Sequence, residues 1–104
     1  MFVALYEMTA KPGHEADFER AWAAVTDAIY RVRGSLGSRL HKTETPGVYI
    51  AYAQWPSRQV YEDASMRARF TESETQQIVR MKESASLIRT VHLMEVFDDR
   101  LQHR

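Results

Sequence analysis

Residues 36–55 have the sequence LGSRLHKTETPGVYIAYAQW, which is the clearest β-hairpin pattern in the chain. Residues 36–43 alternate between two sets of side chains, and residues 48–55 do the same, as expected for strands whose successive side chains point to opposite faces. The intervening ETPG, residues 44–47, places proline and glycine where a tight reversal needs them. We therefore expect two antiparallel strands joined by a short turn.

A strand and a helix are predicted on the N-terminal side of this hairpin. Residues 2–9 alternate in the same way and end at a breaking sequence, KPG, at residues 11–13. Large apolar side chains then recur every three or four residues between residues 14 and 32, which predicts one amphipathic helix. These side chains are Phe18, Trp22, Val25, Ile29 and Val32. Gly34 follows as a suitable helix stop.

A broken helix and a last strand are predicted on the C-terminal side. Ser57 is a suitable N-cap for a first helical segment. Thr71 and Glu74 form a capping-box pattern, which predicts a second segment after a bend near Phe70. Residues 86–97 are rich in Leu, Ile, Val and Thr and predict a strand, whereas residues 98–104 are polar and are expected to fray.

The resulting order of strand, helix, strand, strand, broken helix and strand predicts the fold class. It is the α+β class, with a ferredoxin-like βαββαβ arrangement and a four-stranded antiparallel sheet in one domain over residues 1–104. The first and third strands should then be neighbours in the centre of the sheet. Right-handed crossovers should place both helical segments on the same face.

Composition narrows the range of partners. The 104 residues include 14 Lys and Arg and 14 Asp and Glu, and this balance argues against nucleic acid as a partner. There is no cysteine, which excludes disulfides and thiolate chemistry. The longest charge-free run, residues 45–57, is interrupted by two prolines and too short to span a membrane, and the N-terminus lacks a signal-peptide pattern. We therefore expect a soluble, cytoplasmic protein.

The two faces of the predicted sheet are expected to have different partners. We expect Val3, Leu5, Val48, Ile50 and Tyr52 to pack beneath the helices. The opposite face carries no charged residue and consists of Phe2, Ala4, Tyr6, Met8, Tyr49, Ala51, Ala53 and Trp55. An uncharged face of this extent predicts a homodimer in which two sheets face each other around a cavity. The alternative is that a helical segment of the same chain covers this face.

These segments resemble the antibiotic biosynthesis monooxygenase family, whose members are dimeric α+β barrels of ferredoxin-like subunits. The resemblance spans residues 2–97 and rests on KPG at 11–13, GSLGSRLH at 34–41, TPGVYIAYAQW at 45–55 and the helix at 57–64. The family includes cofactor-free oxygenases of aromatic polyketides, quinol oxidases, haem-degrading enzymes and an isomerase-like branch. The resemblance therefore implies a homodimer with a cavity for a small aromatic or hydrophobic molecule.

The resemblance also implies roles for individual residues. Trp55 matches the tryptophan that ends the third strand and lines the family's cavity, and Tyr61 matches a cavity tyrosine of the polyketide-oxidising members. Those members have an asparagine where this chain has Ala51. The haem-degrading branch needs a first-strand asparagine and a helix histidine, but the matching strand position here is Tyr6 and no histidine occurs between residues 41 and 92. Haem degradation is therefore not expected.

Polar and aromatic side chains supply the candidates for chemistry. The hydroxyls of Tyr6 and Tyr61 could donate a hydrogen bond or shuttle a proton, or could simply reach the surface from buried rings. Arg39 and His41 share one strand face; if it lines the cavity, they offer an anion-stabilising group and a base, and otherwise they are solvated on an edge strand. Trp55 could stack on a substrate or belong to the core or the dimer interface.

The remaining histidines and the glycines predict no metal or cofactor site. The four histidines show no H-x-x-x-H or H-x-H spacing, and the glycines do not form a phosphate-binding loop. No serine nucleophile elbow is present. His14 and His103 are expected to be exposed, and His92, in alternation with Thr90, to be partly buried.

The sequence leaves two main hypotheses and a weaker third. The first is a cofactor-independent monooxygenase or oxidase that acts on a small phenol or quinol in a hydrophobic cavity. Its catalytic residues would be Trp55, Tyr61 and His41, and its substrate-binding residues Tyr6, Ala51 and Arg39. The second is a non-catalytic small-ligand-binding or stress-associated dimer, which the alanine at position 51 favours. The third is an isomerase of a small oxygenated metabolite that uses His41.

Overall fold

A computed structural model describes residues 1–102 of the chain. Its elements are β1 (Phe2–Ala10), α1 (Glu15–Arg33), β2 (Ser38–Lys42), β3 (Val48–Trp55), α2 (Arg58–Glu62), α3 (Glu72–Ser84) and β4 (Ala85–Glu95), with a 3₁₀ turn at Ser65–Arg69 between the last two helices. The predicted element order and the bend are therefore confirmed. The predictions for residues 103 and 104, including the exposure of His103, lie outside the described residues.

The four strands form one antiparallel sheet in the order β2-β3-β1-β4. β1 and β3 are neighbours in its centre, as predicted, and pair Phe2 with Trp55 and Tyr6 with Ala51. β2 and β4 are the two edges. No helix within residues 1–102 is long and apolar enough to cross a membrane.

Local signals in the sequence set the ends of the helices. The Ser57 hydroxyl accepts a hydrogen bond from the Val60 backbone N–H at 3.2 Å and so begins α2. At α3 both arms of the capping box are present: Thr71 Oγ1 accepts from the Glu74 N–H at 3.1 Å, and Glu74 Oε1 accepts from the Thr71 N–H at 2.8 Å. α1 ends at Gly34, whose φ of 75° lies in the left-handed region that favours glycine.

The helices cover the sheet face opposite to the one predicted. The core joins Phe18 and Val25 of α1 to Met8, Tyr49 and Ala51 of the sheet. The face expected beneath the helices is instead free of them, and of its five predicted core residues only Val3 is fully buried. The sequence-based assignment of the two faces was therefore wrong, and the alternative, that the chain's own helices cover the uncharged face, is correct.

Charge and size explain this choice of face. In the cross-strand register Ile50 lies between Glu7 and His41, so a helix packed on that face would remove charged and polar groups from water. The covered face has small side chains at Ala4 and Ala51, which leave room for the large residues of α1. The uncharged face is consequently part of the core and gives no reason to expect a dimer there.

A β-bulge interrupts the pairing of β1 with β4. Leu5 pairs with His92 but Tyr6 pairs with Thr90, so Val91 has no partner on β1. The bulge places His92 and Thr90 on opposite faces, although they are two residues apart. His92 is therefore exposed on the helix-free face, and the prediction that it is partly buried in alternation with Thr90 was wrong. His14 is exposed, as predicted.

Candidate active site

A cavity of about 340 Å³ lies between the sheet and helices α1 and α3. Most of its wall is apolar and includes Met8, Trp22, Val25, Ile29 and Ile88. Three cationic side chains also line it, namely Arg33, Arg67 and Lys82, and no carboxylate of residues 1–102 does. A larger groove of about 440 Å³ between α1 and α3 is lined mainly by charged and polar side chains and contains none of the predicted site residues.

Three of the predicted site residues line this cavity. Tyr6 and Ala51 face each other across the β1–β3 pair, and Trp55 ends β3 on the same face. Ala51 contributes no polar group, and its small side chain leaves space beside the Tyr6 ring. All three side chains lie on β1 and β3, the central strands, which are paired on both sides.

Tyr61 contacts this group from behind the cavity wall. Its hydroxyl lies 3.1 Å from the Tyr6 hydroxyl, and its ring meets the Trp55 indole edge-on, with centroids 5.4 Å apart and planes at 77°. The Phe2 ring packs on its other side at 5.3 Å. Tyr61 is not among the residues that line the cavity. Tyr6 therefore lines the cavity itself, and Tyr61 contacts Tyr6 from behind it.

Burial controls the protonation of Tyr6. Burial, and secondly the hydrogen bond with Tyr61, raise the pKa of Tyr6 well above its usual value. Tyr6 is therefore protonated at neutral pH and acts as a hydrogen-bond donor. Either hydroxyl can be the donor of the Tyr6–Tyr61 bond, and the Tyr6 proton is available to a group in the cavity when Tyr61 donates.

Arg33 joins the cavity to α2. It is the last residue of α1, its Nη2 donates to the Tyr61 carbonyl oxygen at 2.7 Å, and its guanidinium carbon lies 5.0 Å from the centre of the Trp55 ring. Burial, and secondly the nearby Arg67, lower the pKa of Arg33 from its usual value. The Arg33 Nε and Trp55 Nε1 atoms are both buried and have no acceptor within residues 1–102.

Arg33 is not among the site residues predicted from the sequence, although a signal for it is present there. The apolar stripe of α1 runs through Trp22 and Ile29, and position 33, next to Val32, also lies on that stripe, four residues after Ile29. An arginine on the buried stripe of a helix requires a polar partner or a ligand. Its place in the last turn suggested only an interaction with the helix dipole.

Arg39 and His41 do not belong to this cavity. Both are exposed on the edge strand β2, where they pair with Tyr52 and Ile50 on the helix-free face. His41 Nδ1 lies 3.0 Å from the Ile50 carbonyl oxygen. This placement agrees with a solvated edge strand, and the isomerase hypothesis receives no support because it needs His41 in the site. Within the described chain, no three His, Asp or Glu side chains lie close enough together to hold a metal ion.

A ferredoxin-like α+β domain with an apolar cavity between its sheet and its helices is the class of protein that these features define. The family model described as "Antibiotic biosynthesis monooxygenase" matches residues 1–75, and the chain belongs to this family. No curated protein matches the chain in sequence.

Solved structures share the fold at low sequence identity. A candidate antibiotic biosynthesis monooxygenase of Deinococcus radiodurans has 14% identity and a TM-score of 0.71, with 100% of each chain covered. SnoaB, a cofactor-independent oxygenase of Streptomyces nogalater, has 16% identity and a TM-score of 0.74, with 97% of each chain covered. A similar candidate of Bordetella bronchiseptica has 21% identity and a TM-score of 0.73, over 92% of this chain and 96% of its own. These likenesses show the common fold.

Proposed function

We propose that this protein is a cofactor-independent monooxygenase or oxidase that acts on a small phenol or quinol bound in the cavity. The observation that carries the proposal is the Tyr6–Tyr61 hydroxyl pair, which lies beside Trp55 at the edge of a mostly apolar cavity. Membership of the monooxygenase family supports the reaction class. SnoaB, which shares the fold, is a cofactor-independent oxygenase and supports the absence of a cofactor.

The reaction makes few demands on the protein, because an electron-rich phenolate can itself reduce oxygen. A quinol that loses two electrons and two protons to O₂ gives a quinone and hydrogen peroxide. A phenol that reacts with O₂ in the oxygenase mode gives a quinone and water, since one oxygen atom enters the ring and the other leaves reduced. The cavity has to exclude water and stabilise the substrate anion.

Tyr6 is the proposed catalytic donor. Because it stays protonated, it can donate a hydrogen bond to the phenolate oxygen but cannot serve as the base that forms the anion. The substrate therefore has to be acidic enough to bind as an anion or to ionise on binding. Trp55 bounds the site beside Tyr6, where its ring can orient a flat substrate.

Oxygen uptake with 1,4-dihydroxynaphthalene tests the proposal. The purified chain, with a chelator and no added cofactor, is expected to consume oxygen faster than the uncatalysed autoxidation of the quinol. Tyr6→Phe should lower kcat by roughly 100-fold, because it removes the donor and keeps the ring. Trp55→Ala should mainly raise KM, because substrate positioning is lost.

Tyr52→Phe is the matched control. It removes the same hydroxyl from a tyrosine on the opposite face of the sheet, so the rate should not change. A wild-type rate equal to autoxidation would overturn the proposal, and an equal loss of rate in Tyr52→Phe and Tyr6→Phe would remove the role of Tyr6.

A non-catalytic binding protein is the second candidate. Ala51 favours it, because the position on β3 that pairs with Tyr6 has no side chain that could hydrogen-bond a developing charge. This candidate predicts saturable binding of the quinol, seen as quenching of tryptophan fluorescence, with no oxygen uptake above autoxidation.

A homodimer is part of the proposal, and the family resemblance supports it. The surface for it would be the helix-free sheet face rather than the uncharged one. Leu5, Ile50 and Tyr52 are only half-buried there, and Leu87 is exposed on the edge strand of the same face. A second copy that packs on this face would remove these side chains from water.

A further inference from the structure

We infer that the cavity binds an aromatic acid, whose carboxylate is held at the end formed by Arg33, Trp55 and Arg67. The inference rests on the proposed function only for the location of the site, and it names the substrate class more narrowly: the ring carries an anionic group besides any oxidisable hydroxyl. Arg33 and Arg67 then act as specificity-determining residues.

Two unpartnered donors support this inference. Arg33 Nε and Trp55 Nε1 are buried at the same wall and have no acceptor within residues 1–102. Both groups can only donate, so the partner that they lack is an acceptor. Buried donors of native proteins nearly always have a partner, and since neither nitrogen is open to solvent, a ligand oxygen would reach them after a shift of the side chains around them.

The charges at this wall also favour an anion. Arg33, Arg67 and Lys82 line the cavity, no carboxylate of the described chain does, and none of the three forms an ion pair within the described residues. Asp63 attracts Arg33 from a distance, but it is exposed and its Oδ1 accepts from the Ser65 N–H at 2.9 Å. Two guanidinium groups that repel each other at one end of an apolar cavity are stabilised by a bound carboxylate.

The rest of the cavity fits the ring of such a ligand. Met8, Ile29 and the ring of Trp22 form a mostly apolar wall. The volume of about 340 Å³ is within the range of small-molecule sites. A neutral amide of the same shape would fill this space equally well but would leave the positive charge of Arg33 uncompensated.

Binding of 2-naphthoate and 2-naphthamide to the full chain tests the inference. The two probes have nearly the same shape and differ in charge, and neither is a quinol, so tryptophan quenching or calorimetry measures binding without turnover. Wild type is expected to bind 2-naphthoate at least tenfold more tightly than 2-naphthamide. Arg33→Gln should abolish this preference by weakening only the naphthoate complex.

Arg20→Gln is the matched control. It removes one arginine from the exposed surface of the same helix, where Arg20 pairs with Asp17, and it should keep the preference. Equal affinities in wild type, or a preference that survives in Arg33→Gln, would overturn the inference. If circular dichroism shows that Arg33→Gln is unfolded, Arg67→Gln replaces it in the test. A reduced preference for 2-naphthoate in Arg67→Gln supports the inference, and an unchanged preference contradicts it.

The outcomes separate this inference from the proposed function. Preferred binding of 2-naphthoate without oxidation of 1,4-dihydroxynaphthalene would leave the acid site standing and remove the oxygenase. Turnover of the quinol by a chain that binds the two probes equally well would support the oxygenase and remove the acid site.

Discussion

Tyr6 and Tyr61 form a pair of hydroxyls beside Trp55 and Arg33 at the edge of the cavity. Only Tyr6 faces the cavity, while Tyr61 acts on it through one hydrogen bond of 3.1 Å. The two tyrosines should therefore differ in their effect on catalysis, although the resemblance to the family pointed first to Tyr61.

Tyr61→Phe is expected to lower kcat by about five- to tenfold with little change in KM, since it removes one ordinary hydrogen bond to the donor and keeps the ring contacts. Steady-state kinetics with the quinol would measure it beside Tyr6→Phe. A larger loss of kcat in Tyr61→Phe than in Tyr6→Phe would contradict the assignment of Tyr6 as the group that meets the substrate.

Tyr49 gives a prediction about alkaline stability. Burial, and then its hydrogen bond of 2.5 Å to Glu19, raise the pKa of Tyr49 from 10.0 to about 12. The folded state therefore holds this proton more tightly than the unfolded state, so the stabilisation is complete below pH 10 and is lost as the pH rises towards 12. Tyr49→Phe should flatten the decline of the free energy of unfolding over this pH interval.

Urea unfolding between pH 8 and about pH 11 would measure this decline. Tyr30→Phe is the control, because Tyr30 is 60% exposed and should leave the slope as in wild type. An identical slope in Tyr49→Phe and wild type would show that the buried hydroxyl does not cause the alkaline loss.

At the scale of single residues, the sequence identified the candidates on the central strands better than those elsewhere. Ala51 and Trp55 share a face by alternation along β3, and the pairing of β1 with β3 places Tyr6 on the same face. Arg33 was missed because its importance depends on α2 and Trp55, which are distant in sequence. Arg39 and His41 were correctly placed beside each other, but whether their face meets the cavity is a tertiary property.

Among the elements, α3 depends on a cap that the sequence predicts directly. Thr71→Ala removes the oxygen that accepts from the Glu74 N–H, and it should lower the free energy of unfolding by about 1 kcal/mol. Thr71→Ser keeps that oxygen and should lower the free energy of unfolding by only a small part of that amount. Chemical denaturation of the three proteins would measure the difference, and equal stability of Thr71→Ala and Thr71→Ser would rule out the cap as the cause.

Element boundaries were predictable where a local signal sets them. The hairpin turn, the Ser57 and Thr71 caps and the stop at Gly34 act within a few residues of themselves. β2 is shorter than predicted, because Gly37 has a φ of 98° and leaves regular strand geometry. Pairing nevertheless continues there, since the Gln54 N–H donates to the Gly37 carbonyl oxygen at 2.9 Å.

For the whole molecule, the two faces of β3 give a matched pair of predictions. Ile50→Asp places a carboxylate on the helix-free face, where it should dissociate the proposed dimer and leave the fold intact. Ala51→Asp places the same group at a position that is 1% exposed beneath the helices, and it should unfold the domain. Sedimentation and circular dichroism would separate these results. A wild-type monomer at all concentrations would remove the dimer from the proposal.

For the whole molecule, the prediction that was wrong is which face of the sheet the helices cover. Alternation sorts side chains into two sets, but it does not say which set the helices cover. Glu7 indicates the helix-free face, because it shares a face with Leu5 and would be desolvated beneath a helix.

The bulge at Val91 has a consequence for the behaviour of the chain in concentrated solution. β4 is a long edge strand, and Leu87, Ile88 and Leu93 are 39%, 39% and 38% exposed along it. A straight apolar edge of this kind is a template on which further chains can add, and it leads towards aggregates. The unpaired residue twists the strand and breaks the run of backbone groups that such growth requires. The same irregularity that turns His92 outward thus protects the edge against open-ended self-association.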